Sequence, residues 1–358
     1  MVQAMNKLVI SKRSLVLGLK LFCAILFAIW FANIPHEIFL DRANYLNYLT
    51  NADSIIEIRS SRGYLNLLAN EPVWLYINSI LAGVSNSVQY ETILKVYPFL
   101  ITLVASYYIL ISRNDFFIPF AFLILFLLII PQGLSYTLGG LRQSIATTFL
   151  LLFVIVNKEK KVNHIKVVCL LFILSFIHSL FFIITAIYFL VFFGKKIKNL
   201  PRVLSLTIYV SIAVMVVFLL LKFSGLSGYA RQGESLENNV THSGFLFFVY
   251  LMILILFVKI YPTLALDKNT IVVNTANLAF IFLVAYLLMY WIMPGTGRIL
   301  NSLVPFLLFL IAIKINRYTL GILLLIILVV FLTVSPNSRA NSTYLNYEDY
   351  YQHVFFIK

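Results

Sequence analysis

Long apolar runs separated by short polar segments dominate the pattern of this chain. A segment of about 20 mostly apolar residues is long enough to cross the hydrocarbon core of a bilayer as a helix. The clear candidates are Leu15–Asn33, Thr92–Ile111, Phe116–Ile130, Gln143–Val156, Val203–Leu221, Phe245–Ile260, Ile271–Met293, Leu300–Ile313 and Tyr318–Val334. The pattern predicts an all-α polytopic integral membrane protein that forms a single membrane domain over residues 1–358.

The apolar run Val167–Phe193 is flanked by lysine clusters at both ends. Basic loops stay on the cytoplasmic side of a membrane, so a single helix would place one of these clusters on the wrong side. Two half-spans that meet near Ser175–Ser179 place both clusters inside, and we prefer this broken hairpin to a single span. The chain then has about 10–11 transmembrane helices and a cytoplasmic N-terminus. The main outer segments are residues 34–91, which include an amphipathic helix, and residues 222–244.

The composition excludes the other broad classes of protein. Hydrophobic residues make up 61% of the chain and charged residues 11%, whereas a soluble domain has about 25% charged residues. The two cysteines, Cys23 and Cys169, lie in apolar runs and do not indicate a disulfide framework or a thiolate metal site. The sequence has no Walker A, GxSxG, HExxH or DxD motif. We therefore expect no cofactor, no metal site and no nucleic-acid partner.

The formal net charge of +14 has two sources. Most lysines fall on the predicted inner side, where they orient the protein. Seven of the 11 arginines fall on the predicted outer side. A guanidinium group binds phosphate or carboxylate with two parallel hydrogen bonds, so an outer set of arginines is typical of a site for an anionic ligand. The outer arginines can instead pair with outer acidic residues, but for Arg142 and Arg298 we favour the ligand.

Two arginines follow glycine-rich turns and begin membrane helices. Arg142 follows Gly139 and Gly140, and Arg298 follows Gly297. The N-terminus of a helix attracts anions through its free N–H groups. An arginine placed toward the membrane costs roughly 2.5–3.5 kcal/mol, so it is a functional candidate by default. We predict that both bind a pyrophosphate; the alternative is that Arg142 extends to the outer headgroups.

Other polar residues of the outer side are candidates for binding the same ligand. Arg231, in the outer loop, is a third candidate for the pyrophosphate. Asp41, Tyr45 and Tyr48 recur at helical spacing and can present one face to a sugar, although an interfacial helix with aromatic anchors has the same pattern. Gln143 and Tyr229 are further candidates for saccharide binding.

Two ionisable residues are candidates for acid–base chemistry. His178 lies in the middle of the 27-residue apolar run, near the predicted hairpin apex, and an imidazole can accept a hydroxyl proton near neutral pH. Glu71 precedes Pro72, which starts a helix whose apolar stripe, including Trp74 and Ile80, is predicted to lie on or in the outer leaflet. The alternatives are a core histidine and a carboxylate that only caps a helix.

Taken in order, these motifs resemble the EpsG family of Wzy-like membrane proteins over roughly residues 15–320. The pieces that carry the resemblance are Asp41/Tyr45, Gly63-Tyr64, Glu71-Pro72, Leu141-Arg142-Gln143-Ser144-Ile145-Ala146 and Phe176-Ile177-His178-Ser179. Proteins of this kind belong to bacterial exopolysaccharide, capsule and O-antigen pathways.

The resemblance implies a metal-independent, inverting glycosyltransferase with a GT-C-like membrane fold. Such a polymerase joins undecaprenyl-pyrophosphate-linked repeat units at the outer face of the bacterial inner membrane. Its partners would be this lipid-linked oligosaccharide, the lipid bilayer and a chain-length regulator protein. In this role Arg142 and Arg298 hold the donor pyrophosphate, and His178 or Glu71 activates the acceptor hydroxyl. The alternatives are a flippase for lipid-linked saccharides, and an O-antigen ligase or single-sugar transferase.

Overall fold

The computed structural model describes residues 12–35, 38, 41–84, 89–125, 131–158, 163–194, 208–209, 211–212, 215, 244–290, 297–317 and 319–325. Within these residues the regular secondary structure is helical throughout, with no strand. The helices are α1 (Lys12–Ala32), α2 (Arg42–Thr50), α3 (Ala52–Ser61), α4 (Tyr64–Ala69), α5 (Pro72–Gly83), α6 (Tyr90–Leu94), α7 (Val96–Leu110), α8 (Phe117–Ile124), α9 (Pro131–Leu134), α10 (Leu141–Val156), α11 (His164–Ser175), α12 (Leu180–Phe193), α13 (Gly244–Ala265), α14 (Thr270–Met289) and α15 (Gly297–Ile313).

Among the described helices, four stretches are long and apolar enough to cross a membrane. They are Ser14–Ala32, Tyr90–Leu110, Phe247–Ala265 and Thr270–Met289, and their bounds lie close to four of the predicted spans. Helices α10, α11, α12 and α15 are shorter and also apolar. The prediction of an all-α polytopic membrane protein is confirmed.

The apolar run around His178 forms two helices that pack side by side. Helix α11 ends at Ser175 and α12 begins at Leu180, so the four residues between them form the predicted turn. At the opposite end, His164 Nδ1 lies 2.9 Å from the Tyr188 hydroxyl, and its ring stacks on Phe192. Because the start of α11 contacts the end of α12, the two helices are antiparallel. The run is a hairpin and not a single straight span.

Residues 42–83, which belong to the predicted outer segment, fold into short helices that contact the hairpin turn. Helices α2, α3 and α5 pack together. The backbone N–H of Val73, at the start of α5, donates to the carbonyl of Phe176 in the hairpin turn at 3.1 Å. This bond fixes the first turn of α5 against the turn that carries His178.

Only part of the apolar stripe of α5 is exposed as its pattern predicts. Trp74, expected on a stripe facing the lipid, is fully buried between the rings of Tyr45 and Tyr97. Asn78 is also fully buried, because Tyr97 donates to its side-chain oxygen at 3.0 Å and its amide donates to the Trp74 carbonyl. Ile80 is exposed as predicted. Hydrophobic spacing alone could not show that an aromatic cluster and a buried amide take the inward face.

The segment before Arg142 is helical, and several of its side chains are buried. Helix α9 is followed by a π-helical turn over Ser135–Gly139. Leu134, Tyr136 and Thr137 are fully buried, and the Thr137 hydroxyl donates to the carbonyl of Gly133. Single π-helical turns are rare and occur frequently at functional sites. The chain thus re-enters the protein interior just before Gly140 and Arg142.

The core of the domain lies between α7, α10, α14 and α15. Helix α14 is buried along almost its whole length, and α15 packs against it. Tyr108 on α7 stacks on Phe309 of α15 with a ring separation of 4.2 Å and hydrogen-bonds Thr275 of α14. Together with the packing of α10 on α7, these contacts fix the positions of the two helices whose first turns carry Arg142 and Arg298.

Candidate functional site

A cavity that is open to the surface lies where several helix ends meet. Its lining comes from the start of α2, the start of α10, the hairpin turn and the start of α15. The lining residues are Asp41, Tyr45, Gly140, Arg142, Gln143, His178, Arg298 and Asn301. Six of these eight were candidate site residues from the sequence, although they come from four separate parts of the chain. The structure therefore places a carboxylate, a phenol, an imidazole and two guanidinium groups around one space.

Arg142 lies in the first turn of α10, after Gly140 at the N-cap. Its Nη1 donates to the Oε2 atom of Glu71, and its guanidinium lies 5.0 Å from the centre of the Tyr48 ring. The side chain keeps 21% of its surface exposed, whereas Glu71 keeps 4%. The expectation that Arg142 does not pair with an outer acid is wrong, because the hairpin turn brings Glu71 to it. The exposed part of the guanidinium still faces the cavity.

Glu71 is held on both of its carboxylate oxygens. Oε2 accepts from Arg142, and Oε1 accepts from the Ser179 backbone N–H at 3.1 Å and from the Ser179 hydroxyl at 3.4 Å. Its backbone has φ of 60°, a left-handed conformation that is uncommon for a residue other than glycine. Burial alone would raise the pKa of the Glu71 carboxyl, but Arg142 and the Ser179 N–H outweigh it and lower the pKa to about 2.

The lowered pKa of Glu71 leads to a prediction about stability and pH. Its carboxylate stabilises the fold above the ordinary pKa of 4.5, and that contribution is lost as the pH falls toward about 2. We expect the melting temperature of the purified protein in detergent to exceed that of Glu71→Gln by a constant amount between about pH 8 and pH 5. The difference should shrink below pH 4.5. The control is Glu57→Gln, at an exposed position on α3, which should have the melting temperature of the wild type at every pH. If the melting temperatures of the wild type and Glu71→Gln already coincide near neutral pH, this assignment is wrong.

A hydrogen-bond network joins the two helices that carry the arginines. Gln143 Nε2 donates to the backbone carbonyl of Arg298 and, at 2.7 Å, to the Ser302 hydroxyl. Thr147, one turn further along α10, lies 2.9 Å from the same hydroxyl. These bonds hold the first turn of α10 against the first turn of α15. As a result, Arg142 and Arg298 approach the cavity from two adjacent helix N-termini.

Asp41 and Tyr45 form the α2 side of the cavity. Tyr45 is buried and packs edge-to-face on Trp74. Burial raises the pKa of the Tyr45 phenol to about 12, although Arg142 acts in the opposite direction, so the phenol keeps its proton. Asp41 is half-buried, and its Oδ1 accepts a hydrogen bond from the Asn44 amide at 2.8 Å. The two side chains can thus offer a donor and an acceptor to hydroxyl groups.

His178 is buried in the hairpin turn and lines the cavity. Its backbone N–H donates to the carbonyl of Leu174 at 3.0 Å. Its Nδ1 accepts from the backbone N–H of Leu180 at 3.3 Å. A ring nitrogen that accepts a hydrogen bond carries no proton, so in the neutral imidazole the proton is on Nε2.

Asn301 lines the cavity but was not among the candidates from the sequence. It lies one turn after Arg298 on the same face of α15, and this i, i+3 spacing was the available indication. Tyr48, which shares the helical spacing of Asp41 and Tyr45, lies under Arg142. The candidates Arg231 and Tyr229 lie outside the described residues, as does nearly all of the loop 222–244.

Within the described part of the chain, no group of three or more His, Cys, Asp or Glu side chains lies close enough to hold a metal ion. The comparison with family models matches residues 19–348 to the EpsG family. Comparisons with curated proteins and with solved structures give no match. The family match covers nearly the whole chain, including every helix that lines the cavity. The chain therefore belongs to the EpsG family.

Proposed function

We propose that this protein is a polysaccharide polymerase that joins repeat units carried on a lipid pyrophosphate. The family to which the chain belongs is associated with Wzy-like polysaccharide polymerases. The observation that best supports the proposal is the pair of arginines at adjacent helix N-termini, facing one cavity with Asp41 and Tyr45. Two guanidinium groups match the charge of a pyrophosphate, and hydrogen-bonding side chains match the hydroxyls of a sugar.

The reaction we assign to the site is inverting transfer of a glycosyl chain. A hydroxyl of the acceptor sugar attacks the anomeric carbon of the donor, and the bond from that carbon to the pyrophosphate oxygen breaks. The leaving pyrophosphate takes the electron pair, and Arg142 and Arg298 stabilise the charge that develops on it. Asp41, Tyr45 and Gln143 bind the saccharide beside them. The arginines supply electrostatic stabilisation of the kind that a divalent cation supplies in other transferases.

The same proposal places the protein in the bacterial inner membrane with its N-terminus in the cytoplasm. The lysine clusters around the hairpin support an inner location for the open ends of α11 and α12. On α1, Lys20 donates to the backbone carbonyl of Arg113, in the turn after α7 that we also place inside. The cavity at the hairpin turn then faces the outer side. Undecaprenyl pyrophosphate is the lipid carrier that we assign to the substrate.

The leaflet in which lipid-linked repeat units accumulate in a deletion strain distinguishes a polymerase from a transporter. Without a polymerase, single repeat units on their lipid carrier should accumulate in the outer leaflet, where a membrane-impermeant glycosidase added to spheroplasts can reach them. Wild-type protein supplied from a plasmid should restore long polymer. Repeat units that stay protected in the inner leaflet would indicate a flippase and contradict the proposal.

A further inference from the structure

The transfer reaction needs a group that takes the proton of the acceptor hydroxyl. A general base must reach that hydroxyl directly and must have a free lone pair. Among the described residues, three carboxyl or imidazole groups lie at or beside the cavity: Glu71, His178 and Asp41. Their hydrogen bonds differ in a way that separates their roles.

Glu71 is poorly placed for this task. It is almost fully buried, and each of its two oxygens already accepts a hydrogen bond, from Arg142 on one side and from Ser179 on the other. Its low pKa also makes the carboxylate a weak proton acceptor. Taking a proton would break the ion pair that orients Arg142. Glu71 therefore acts as a positioning residue for the arginine.

His178 presents a donor to the cavity. Its Nδ1 accepts the Leu180 N–H, so the nitrogen left for a ligand, Nε2, carries a proton in the neutral ring. An N–H group can donate to a phosphate or sugar oxygen, but it cannot accept a proton. This geometry suits a residue that helps to bind the donor substrate.

Asp41 has the geometry that a base requires. It lines the cavity and is only half-buried. Within the described part of the chain, the hydrogen bond to its side chain comes from Asn44 and uses Oδ1. A carboxylate has about four lone-pair positions on its two oxygens, so Oδ2 can meet a substrate hydroxyl. Asp41 also lies on the α2 wall, whereas the arginines enter from α10 and α15.

We infer that Asp41 is the general base of the reaction, a role beyond the saccharide contact assigned to it above. This inference rests on the proposed polymerase function. As the acceptor oxygen bonds to the anomeric carbon, its O–H bond breaks and the proton passes to the Asp41 carboxylate. At the same time the pyrophosphate leaves with the electron pair of the broken glycosidic bond. The products are one lengthened chain, one free lipid pyrophosphate and a protonated Asp41, which then releases its proton to water.

The test uses the full-length protein in proteoliposomes, with lipid-linked repeat units extracted from the deletion strain. Asp41→Asn keeps the size of the side chain and removes the base. We expect kcat to fall by about 100-fold or more, with KM changed much less. Asp53→Asn is the matched control, because Asp53 lies in the same outer segment, on α3, and does not line the cavity. This control should keep wild-type kcat.

Rescue by sodium azide distinguishes the loss of a general base from damage to the rest of the site. Azide is already an anion and needs no deprotonation, so it should restore release of lipid pyrophosphate by Asp41→Asn and yield a glycosyl azide. Azide should not rescue Glu71→Gln, whose defect is the orientation of Arg142. Asp41→Glu, which retains a carboxylate, should keep part of the activity.

The outcomes distinguish this inference from the proposed function. If wild-type protein makes polymer and Asp41→Asn keeps wild-type kcat, the inference is wrong and the polymerase stands. The same conclusion follows if azide fails to restore donor cleavage by Asp41→Asn. If wild-type protein does not lengthen the substrate, both the polymerase assignment and the inference fail.

Discussion

Replacing Arg142 with alanine is expected to reduce polymer synthesis by about three orders of magnitude. Removing one preorganised group that stabilises transition-state charge typically costs about 10²- to 10³-fold in kcat, and Arg142 carries a full charge, so we expect the upper end of this range. Arg298→Ala should cause a loss of similar size, because both guanidinium groups face the same space. The measurement is the rate of chain lengthening at saturating substrate, normalised to the amount of folded protein.

The variant Arg142→Lys distinguishes the effect of the positive charge from the effect of the planar guanidinium group. Lysine keeps the positive charge opposite Glu71 but loses the planar fork that binds phosphate in a bidentate manner. We expect this variant to fold as the wild type and to remain strongly impaired. Arg62→Ala is the matched control, since Arg62 is an exposed arginine between α3 and α4 that does not line the cavity. Full-length polymer at a normal rate from both Arg142→Ala and Arg298→Ala would contradict the pyrophosphate role.

Replacing Glu71 with alanine is expected to lower the free energy of unfolding by about 3–5 kcal/mol. Removing one partner of a buried ion pair leaves the other without its counter-charge, and losses of this size are typical. Here the substitution also removes the acceptor of the Ser179 N–H, so the hairpin turn loses a contact with α5. Because Arg142 is then no longer oriented, polymer synthesis should fall as well.

A double-mutant cycle tests whether this loss comes from the pair. If Glu71 and Arg142 act together, the double alanine variant should be destabilised by less than the sum of the single variants. The expected coupling is about 1–3 kcal/mol, measured by unfolding in detergent. Additive losses would show that the two side chains act independently, and the positioning role of Glu71 would then be wrong.

The sequence predicts the helices and the helix-starting residues of the site well, because both follow from local chemistry. Apolar runs define the spans, and lysines on both sides of residues 167–193 predict the hairpin that the structure confirms. Arg142 and Arg298 follow glycine turns, and each does lie at the start of a helix. Helical spacing also places Asp41 and Tyr45 on one wall of the cavity.

The remaining features depend on contacts between distant parts of the chain. Glu71 and Arg142 are 71 residues apart, and Gln143 and Ser302 are 159 apart, so neither contact has a local pattern. The sequence context of Glu71 shows only the start of a helix, so it leaves both a general base and a helix-capping carboxylate open. The role of Glu71 in orienting Arg142 depends on where the hairpin turn meets α5. Trp74 was placed toward the lipid for the same reason, since the aromatic partners that bury it lie on other helices.

The most direct test of the polymerase assignment is lengthening of a purified lipid-linked repeat unit by the purified protein. The protein is reconstituted in liposomes, and a metal chelator is present throughout. We expect a ladder of products that differ by one repeat unit, with one lipid pyrophosphate released for each linkage formed. Repeat units that remain single, whether they stay in place or cross the bilayer, would contradict the polymerase assignment.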